Sequence, residues 1–145
     1  MRKTAFQRAP IVNWRLIITL SLFGLAMAMA TVSLIPSSRE PVFWLGIFVA
    51  CAYAIARRAT SRFFLHGLLV SLVNGVWITG SHVLFFDTYI TNHPQEAAMT
   101  ASIPFSSHPR ILMVIIGPFI GLVSGLVLGV FCVIAAKLTR SGRAQ

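Results

Sequence analysis

Four long stretches of the 145-residue chain contain no Lys, Arg, Asp or Glu and are dominated by apolar residues. They are residues 16–35, 42–56, 63–86 and 111–136. A helix rises about 1.5 Å per residue, so about 20 residues cross a hydrocarbon core about 30 Å thick. Three stretches reach that length, whereas the second needs its flanking residues or local thinning of the bilayer. Because lipid offers the backbone no hydrogen-bond partners, spanning segments of this kind are helices. We therefore predict an all-α membrane protein, a bundle of four transmembrane helices forming one membrane domain over residues 1–145.

The composition supports a lipid environment over a nucleic-acid partner. Charged residues make up 10% of the chain, against roughly 25% in soluble domains. The net charge of +9 is carried by residues between the apolar stretches and not by a long basic stripe, which is how membrane topology signals are arranged. We expect the lipid bilayer as the main partner and no nucleic acid.

The basic residues are divided unequally between the two sets of connections. Ten lie in the N-terminal arm, the second connection and the C-terminal tail, namely Arg2, Lys3, Arg8, Arg15, Arg57, Arg58, Arg62, Lys137, Arg140 and Arg143. The other connections hold only Arg39 and Arg110, together with all three acidic residues, Glu40, Asp87 and Glu96. Since basic connections stay in the cytoplasm, we predict cytoplasmic N and C termini in a multi-pass protein of the bacterial inner membrane.

The first stretch also has features of a cleaved leader. Ala28-Met29-Ala30 follows a basic start and an apolar segment, as a signal-peptidase site does. The apolar stretch continues to Ile35, which favours an uncleaved first helix. Cleavage after Ala30 would leave three spans.

The connection over residues 87–110 is long for a link between two helices. Within it, Pro94 and Glu96 suit the first turn of a helix. We predict a short interfacial helix over residues 94–102, on the outer surface. Trp14 and Trp44 fall at opposite predicted interfaces, where indole rings anchor membrane proteins.

Small residues at a spacing of four form a glycine zipper in the last stretch. Its members are Gly117, Gly121, Gly125 and Gly129. Small residues allow close backbone approach, which stabilises helix pairs in lipid. We expect the stripe to seat the helices on each other. We also expect part of it to remain free for a second copy, giving a homo-oligomer, or for another membrane protein.

The third stretch carries a polar face. Ser71, Asn74, Ser81 and His82 fall within about 120° of one another at 100° per residue, so this face is predicted to point into the bundle. Asn74 lies near the midplane, where an amide facing another helix can form a hydrogen bond. A contact with a ligand or substrate is the alternative role for this residue.

The sequence contains no catalytic or metal-binding signature. His82, Asp87, His93, Glu96 and His108 share one predicted side, but none has the close spacing typical of a metal site. Cys51 and Cys132 lie singly in apolar stretches, as small packing residues do. No acidic residue lies within a predicted span, which disfavours catalysis or proton-coupled transport there. We expect no metal, no cofactor and no enzymatic activity.

Two functional hypotheses remain. The first is a structural or accessory membrane protein that acts through helix–helix packing. The alternative is a small oligomeric transporter or channel, whose path is lined by the polar face of the third helix.

Overall fold

The computed structural model of the protein describes residues 12–102 and 107–141. All regular structure within them is helical. The helices are α1 (Trp14–Ser33), α2 (Glu40–Arg58), α3 (Phe63–Leu84), α4 (Phe86–Asn92), α5 (Pro94–Ser102) and α6 (Pro109–Ser141). Four of them, α1, α2, α3 and α6, are long and apolar enough to cross a membrane. The predicted all-α architecture with four candidate spans is therefore confirmed.

The second helix is longer than its apolar stretch. It contains 19 residues because it begins at Glu40 and continues to Arg58. Pro41 fits the first turn, where the missing amide hydrogen has no helical partner to lose. A carboxylate at the start and two guanidinium groups in the last turn both complement the helix dipole. These ends give α2 the length that the 15 apolar residues lack.

The long connection before α6 contains two short helices where one was predicted. The helix α5 covers the predicted residues 94–102. The helix α4 was not predicted, and it begins directly after Phe85, which ends α3. Asn92 Nδ2 donates a hydrogen bond to the Val32 carbonyl oxygen at 3.1 Å. This contact fixes α4 against the end of α1.

The long helices pack side by side in the order α1, α3, α6, α2, with α3 and α6 forming the most extensive contact. Hydrogen bonds show that α1 and α3 are parallel, because Asn13 bonds to His66 at one end and Thr31 to His82 at the other. We call these the basic end and the acidic end. Among the described residues, the basic end has Arg15, Arg57, Arg58, Arg62, Lys137 and Arg140 near it. The acidic end has Glu40, Asp87 and Glu96, together with Arg39 and Arg110.

The glycine stripe of α6 lies against α3. A Cβ atom on Gly125 would be 3.1 Å from the Leu68 carbonyl oxygen, and one on Gly121 would be 3.5 Å from Gly75 Cα. The remaining two positions, Gly117 and Gly129, would collide with the side chains of Thr79 and Phe64. Each glycine of the stripe faces α3, and the binding of a second copy or another membrane protein to α6 stays a prediction.

All four long helices meet in an apolar core near the basic end. Its buried members are Leu16, Ile17 and Leu20 of α1, Cys51, Ala52 and Ile55 of α2, Val70 of α3, and Leu128 and Cys132 of α6. Both cysteines are free and fully buried there. They fill the core as small residues, in agreement with their predicted packing role.

His66 connects α1 and α3 at the basic end. Its Nδ1–H donates to the Arg62 carbonyl oxygen at 3.0 Å, and its Nε2 accepts from the Asn13 amide at 3.0 Å. The side chain of Asn13 in turn accepts from the Leu16 amide at 3.1 Å, which caps α1. Arg62 has a φ of 52°, a backbone region that is unfavourable for residues with a side chain. The bond from His66 stabilises this turn directly before α3.

Candidate binding cavity

At the acidic end the long helices leave a cavity of about 680 Å³ between α2, α3 and α6. Residues of α4 and α5 line its acidic side. Small-molecule sites commonly measure roughly 300–1,000 Å³. The apolar part of the wall includes Trp44, Leu45 and Phe48 of α2 and Ile116, Ile120 and Phe131 of α6. The volume and the wall together are those of a site for a small apolar or amphipathic molecule.

Most of the predicted polar face of α3 borders this cavity. Ser71, Asn74 and His82 line it, whereas Ser81 is buried but does not. Two members of the glycine stripe, Gly117 and Gly121, line it as well. The lack of side chains at these positions therefore seats α6 on α3 and also leaves room in the cavity.

Asn74 lies between α1 and the cavity. A Cβ atom on Gly24 of α1 would collide with the Asn74 amide group, so the missing side chain makes room for it. Asn74 is 2% exposed, and neither its Nδ2 nor its Oδ1 has a hydrogen-bond partner among the described residues. No interhelical hydrogen bond of the Asn74 side chain is present within residues 12–102 and 107–141. A buried unpaired polar group is unfavourable, so the packing of this amide against Gly24 lowers the stability of the contact between α1 and α3.

Three aromatic rings stack at the acidic end. The ring of Tyr89 lies between those of His82 and His93, with centroid distances of 4.0 and 4.3 Å. Thr31 Oγ1 donates to the Ala28 carbonyl oxygen, so His82 Nε2–H donates to that hydroxyl at 3.1 Å. The stack joins α3, α4 and α1, and it holds the side chains of Tyr89 and His82 at the cavity wall.

His93 brings this stack close to the start of α2. Its Nδ1–H donates to the Tyr89 carbonyl oxygen at 2.9 Å. Its Nε2 lies 3.6 Å from Glu40 Oε1, which is too long for a hydrogen bond. His93 is 2% exposed, and Nε2 has no hydrogen-bond partner among the described residues. The carboxylate of Glu40 therefore has only a loose contact with the nearest ring.

Two of the three carboxylates in the chain border the cavity. Glu40 and Glu96 line it, and no Lys or Arg of the described part of the chain does. The third carboxylate, Asp87, lies outside the cavity and pairs with Arg110 at 3.3 Å. Burial raises the pKa of the Tyr89 hydroxyl to about 12, and Glu96 and Glu40 add to the rise. At physiological pH this phenol is therefore a protonated hydrogen-bond donor at the same end.

Several of these residues were assigned other roles by sequence reasoning. Trp44 was expected to be an interface anchor, but it lines the cavity. Glu40 and Glu96 were assigned to separate connections, and no local pattern relates them. Among the described residues, no three His, Cys, Asp or Glu side chains are grouped to hold a metal ion. The possible metal ligands named from the sequence do not all lie together, since His108 contacts Ser107 and not the ring stack.

The cavity combines an apolar wall with carboxyl groups at one end. Such a surface can hold a molecule that has a polar head and an apolar body, because each part meets a matching wall. Comparisons with protein-family models, curated proteins and solved structures found no match.

Proposed function

We propose that this protein is a four-span membrane protein whose acidic-end cavity binds a small amphipathic molecule. The cavity of about 680 Å³ between α2, α3 and α6 is the observation that carries the proposal. Its walls are apolar where α2 and α6 face each other, and its polar groups lie on α3 and at the acidic end. A molecule with both kinds of surface would bury each against a matching one.

The proposal includes an orientation in the bacterial inner membrane. Both termini are cytoplasmic, and α5 lies at the outer interface, so the cavity is reached from the outer side. The ten basic residues of the N-terminal arm, the second connection and the C-terminal tail support this. In intact spheroplasts, Ser102→Cys should react with a membrane-impermeant maleimide, whereas Ser141→Cys should react only after permeabilisation. The reverse pattern would overturn the orientation.

Binding is favoured over the two roles predicted from the sequence. The accessory role relied on a glycine stripe available to a partner, and α3 occupies that stripe. A homo-oligomer or a partner membrane protein would therefore have to use another face. A channel would need a path through the basic end, where the apolar core fills the space between all four helices. Transport remains the second candidate, because Ser71, Asn74 and His82 line the cavity.

The binding proposal can be tested by photolabelling the full-length protein in maltoside micelles. The probe is decanol carrying a diazirine on its chain, and labelled positions are mapped by mass spectrometry. We expect labels on cavity residues such as Phe48 and Met113. The variant Leu45→Trp with Ile120→Trp, two lining positions, should lose most of this labelling because the added rings fill the cavity.

The matched control places the same rings on the same two helices outside the cavity lining. It is Val49→Trp with Val114→Trp. Leu45 and Val49 are both 56% exposed, so the two variants alter a similar amount of exposed surface. Unchanged labelling of Phe48 and Met113 in the filled variant would reject the cavity as the binding site.

A further inference from the structure

Two carboxyl groups at the acidic end of the cavity have no Lys or Arg partner among the described residues. Glu96 Oε2 is buried and has no hydrogen-bond partner among the described residues. Glu40 has only the loose contact with His93 at 3.6 Å. Asp87, the carboxylate outside the cavity, is by contrast paired with Arg110. The two carboxyl groups without a Lys or Arg partner among the described residues are therefore the ones that line the cavity.

The acidic lining of the cavity contrasts with the basic composition of the whole chain. The chain has twelve Lys and Arg residues against three Asp and Glu residues. None of the eight Lys and Arg residues within the described ranges is among the cavity-lining residues, yet two of the three carboxylates are. Because charges interact more strongly away from bulk water, an anionic head group would be repelled at this end and a cationic one attracted.

Aromatic rings border the same end. Trp44 and Tyr89 line the cavity together with Glu40 and Glu96. The faces of indole and phenol rings attract cations, and quaternary ammonium groups are often bound by rings of this kind together with carboxylates.

We infer that the occupant of the cavity is a cationic amphiphile, with an amine or quaternary ammonium head recognised by Glu40 and Glu96. Its apolar part lies between α2 and α6, along Leu45 and Ile120. This inference rests on the proposed binding function and adds the charge of the ligand to it.

The test compares three photoactivatable probes with the same diazirine-bearing decyl chain. Their heads are trimethylammonium, hydroxyl and phosphate, and each is added at the same mole fraction to the full-length protein in maltoside micelles. The net charge of +9 favours the anionic probe at non-specific sites. A preference for the cationic probe at the cavity residues would therefore oppose the net charge and have a local origin.

We expect the trimethylammonium probe to label cavity residues about tenfold more than the hydroxyl probe, as an added charge-assisted contact would produce. Glu40→Gln with Glu96→Gln should abolish this preference and leave labelling by the hydroxyl probe unchanged. Asp87→Asn, which removes the carboxylate outside the cavity, should keep the preference. Glu96→Gln alone should lower it in part, which provides a milder variant if the double one is unstable.

The outcomes separate the two proposals. Equal labelling of the cavity by all three heads, or a cationic preference that survives in Glu40→Gln with Glu96→Gln, overturns the charge inference and leaves the binding function standing. A cavity that none of the three probes labels overturns both.

Discussion

The two ends of the helix bundle differ in how closely α2 approaches its neighbours. At the basic end α2 presents Cys51, Ala52 and Ile55 to a core shared with the other three long helices. Toward the acidic end it presents the bulky residues Trp44, Leu45 and Phe48, and a cavity remains between it and α3. In lipid no hydrophobic force closes such a gap, and close contact depends on small residues. The cavity therefore lies beside the part of α2 that carries these bulky side chains.

The largest effect should come from the closest backbone contact at the basic end. A Cβ atom on Gly67 would be 2.9 Å from the backbone of Gly129 and 2.8 Å from Cys132 Sγ. Gly67→Ala should separate α3 from α6 and lower the free energy of unfolding by about 3 kcal/mol, as overpacking against rigid neighbours does. The measurement is SDS-induced unfolding in mixed micelles.

The matched control is Gly80→Ala on the same helix. A Cβ atom there has no neighbour within 4 Å, so this variant should be as stable as the original or slightly more stable, since Ala favours helix. Equal effects at positions 67 and 80 would contradict the close packing of the basic end.

A second comparison uses two positions on α6. Leu128 is 0% exposed in the core, whereas Ile120 is 57% exposed and lines the cavity. Leu128→Ala opens a void, so it should lower the free energy of unfolding by about 2 kcal/mol, the lower end of the usual range for such changes. Ile120→Ala should cost less than about 0.5 kcal/mol, since its side chain already borders open space. A larger loss at Ile120, measured by the same unfolding, would show that the acidic end is packed as tightly as the basic end.

The two histidines of α3 give a third comparison. His66→Ala should cost about 2 kcal/mol, because the Asn13 amide and the Arg62 carbonyl oxygen both lose a partner. His82→Ala should cost about 1 kcal/mol, since the Thr31 hydroxyl keeps its bond to Ala28. Unfolding of both variants in mixed micelles tests this, and a reversed order would contradict the hydrogen bonding described for the two ends.

The smallest effect is expected at the exposed ion pair near the acidic end. Arg110 and Asp87 are 3.3 Å apart, with side chains 54% and 89% exposed. Exposed pairs of this kind contribute about 0–1 kcal/mol, so Arg110→Ala should leave stability and cavity labelling nearly unchanged. A clear loss of labelling would mean that this pair helps to shape the cavity.

The sequence predicted the helices better than it predicted the cavity. Long uncharged stretches are sufficient to identify four candidate spans, and helical spacing places Ser71, Asn74 and His82 on one face. The cavity is also lined by Glu40 and Glu96. These residues are far apart in sequence, and they line one cavity only because α2 begins and α5 lies at the same end of the bundle. The helix α4 was missed because seven residues carry too little periodicity to distinguish a short helix from a loop.

The glycine stripe shows a different limit of sequence reasoning. Spacing of four shows that a helix can approach another closely, but it does not say which helix. The partner of Gly121 is Gly75, and this pairing depends on the packing order of all four spans. The stripe was therefore expected in part at an outer surface, although α3 occupies its whole length.

The contact between Gly24 and Asn74 has a consequence for how this chain can vary. A side chain at position 24 would collide with the Asn74 amide, so the two positions share one volume across α1 and α3. In natural variants, Ala or Ser at position 24 should occur together with a smaller residue at position 74, and an amide at 74 should occur only with Gly at 24. The pair is expected to covary, which would record the contact between α1 and α3 in sequences alone.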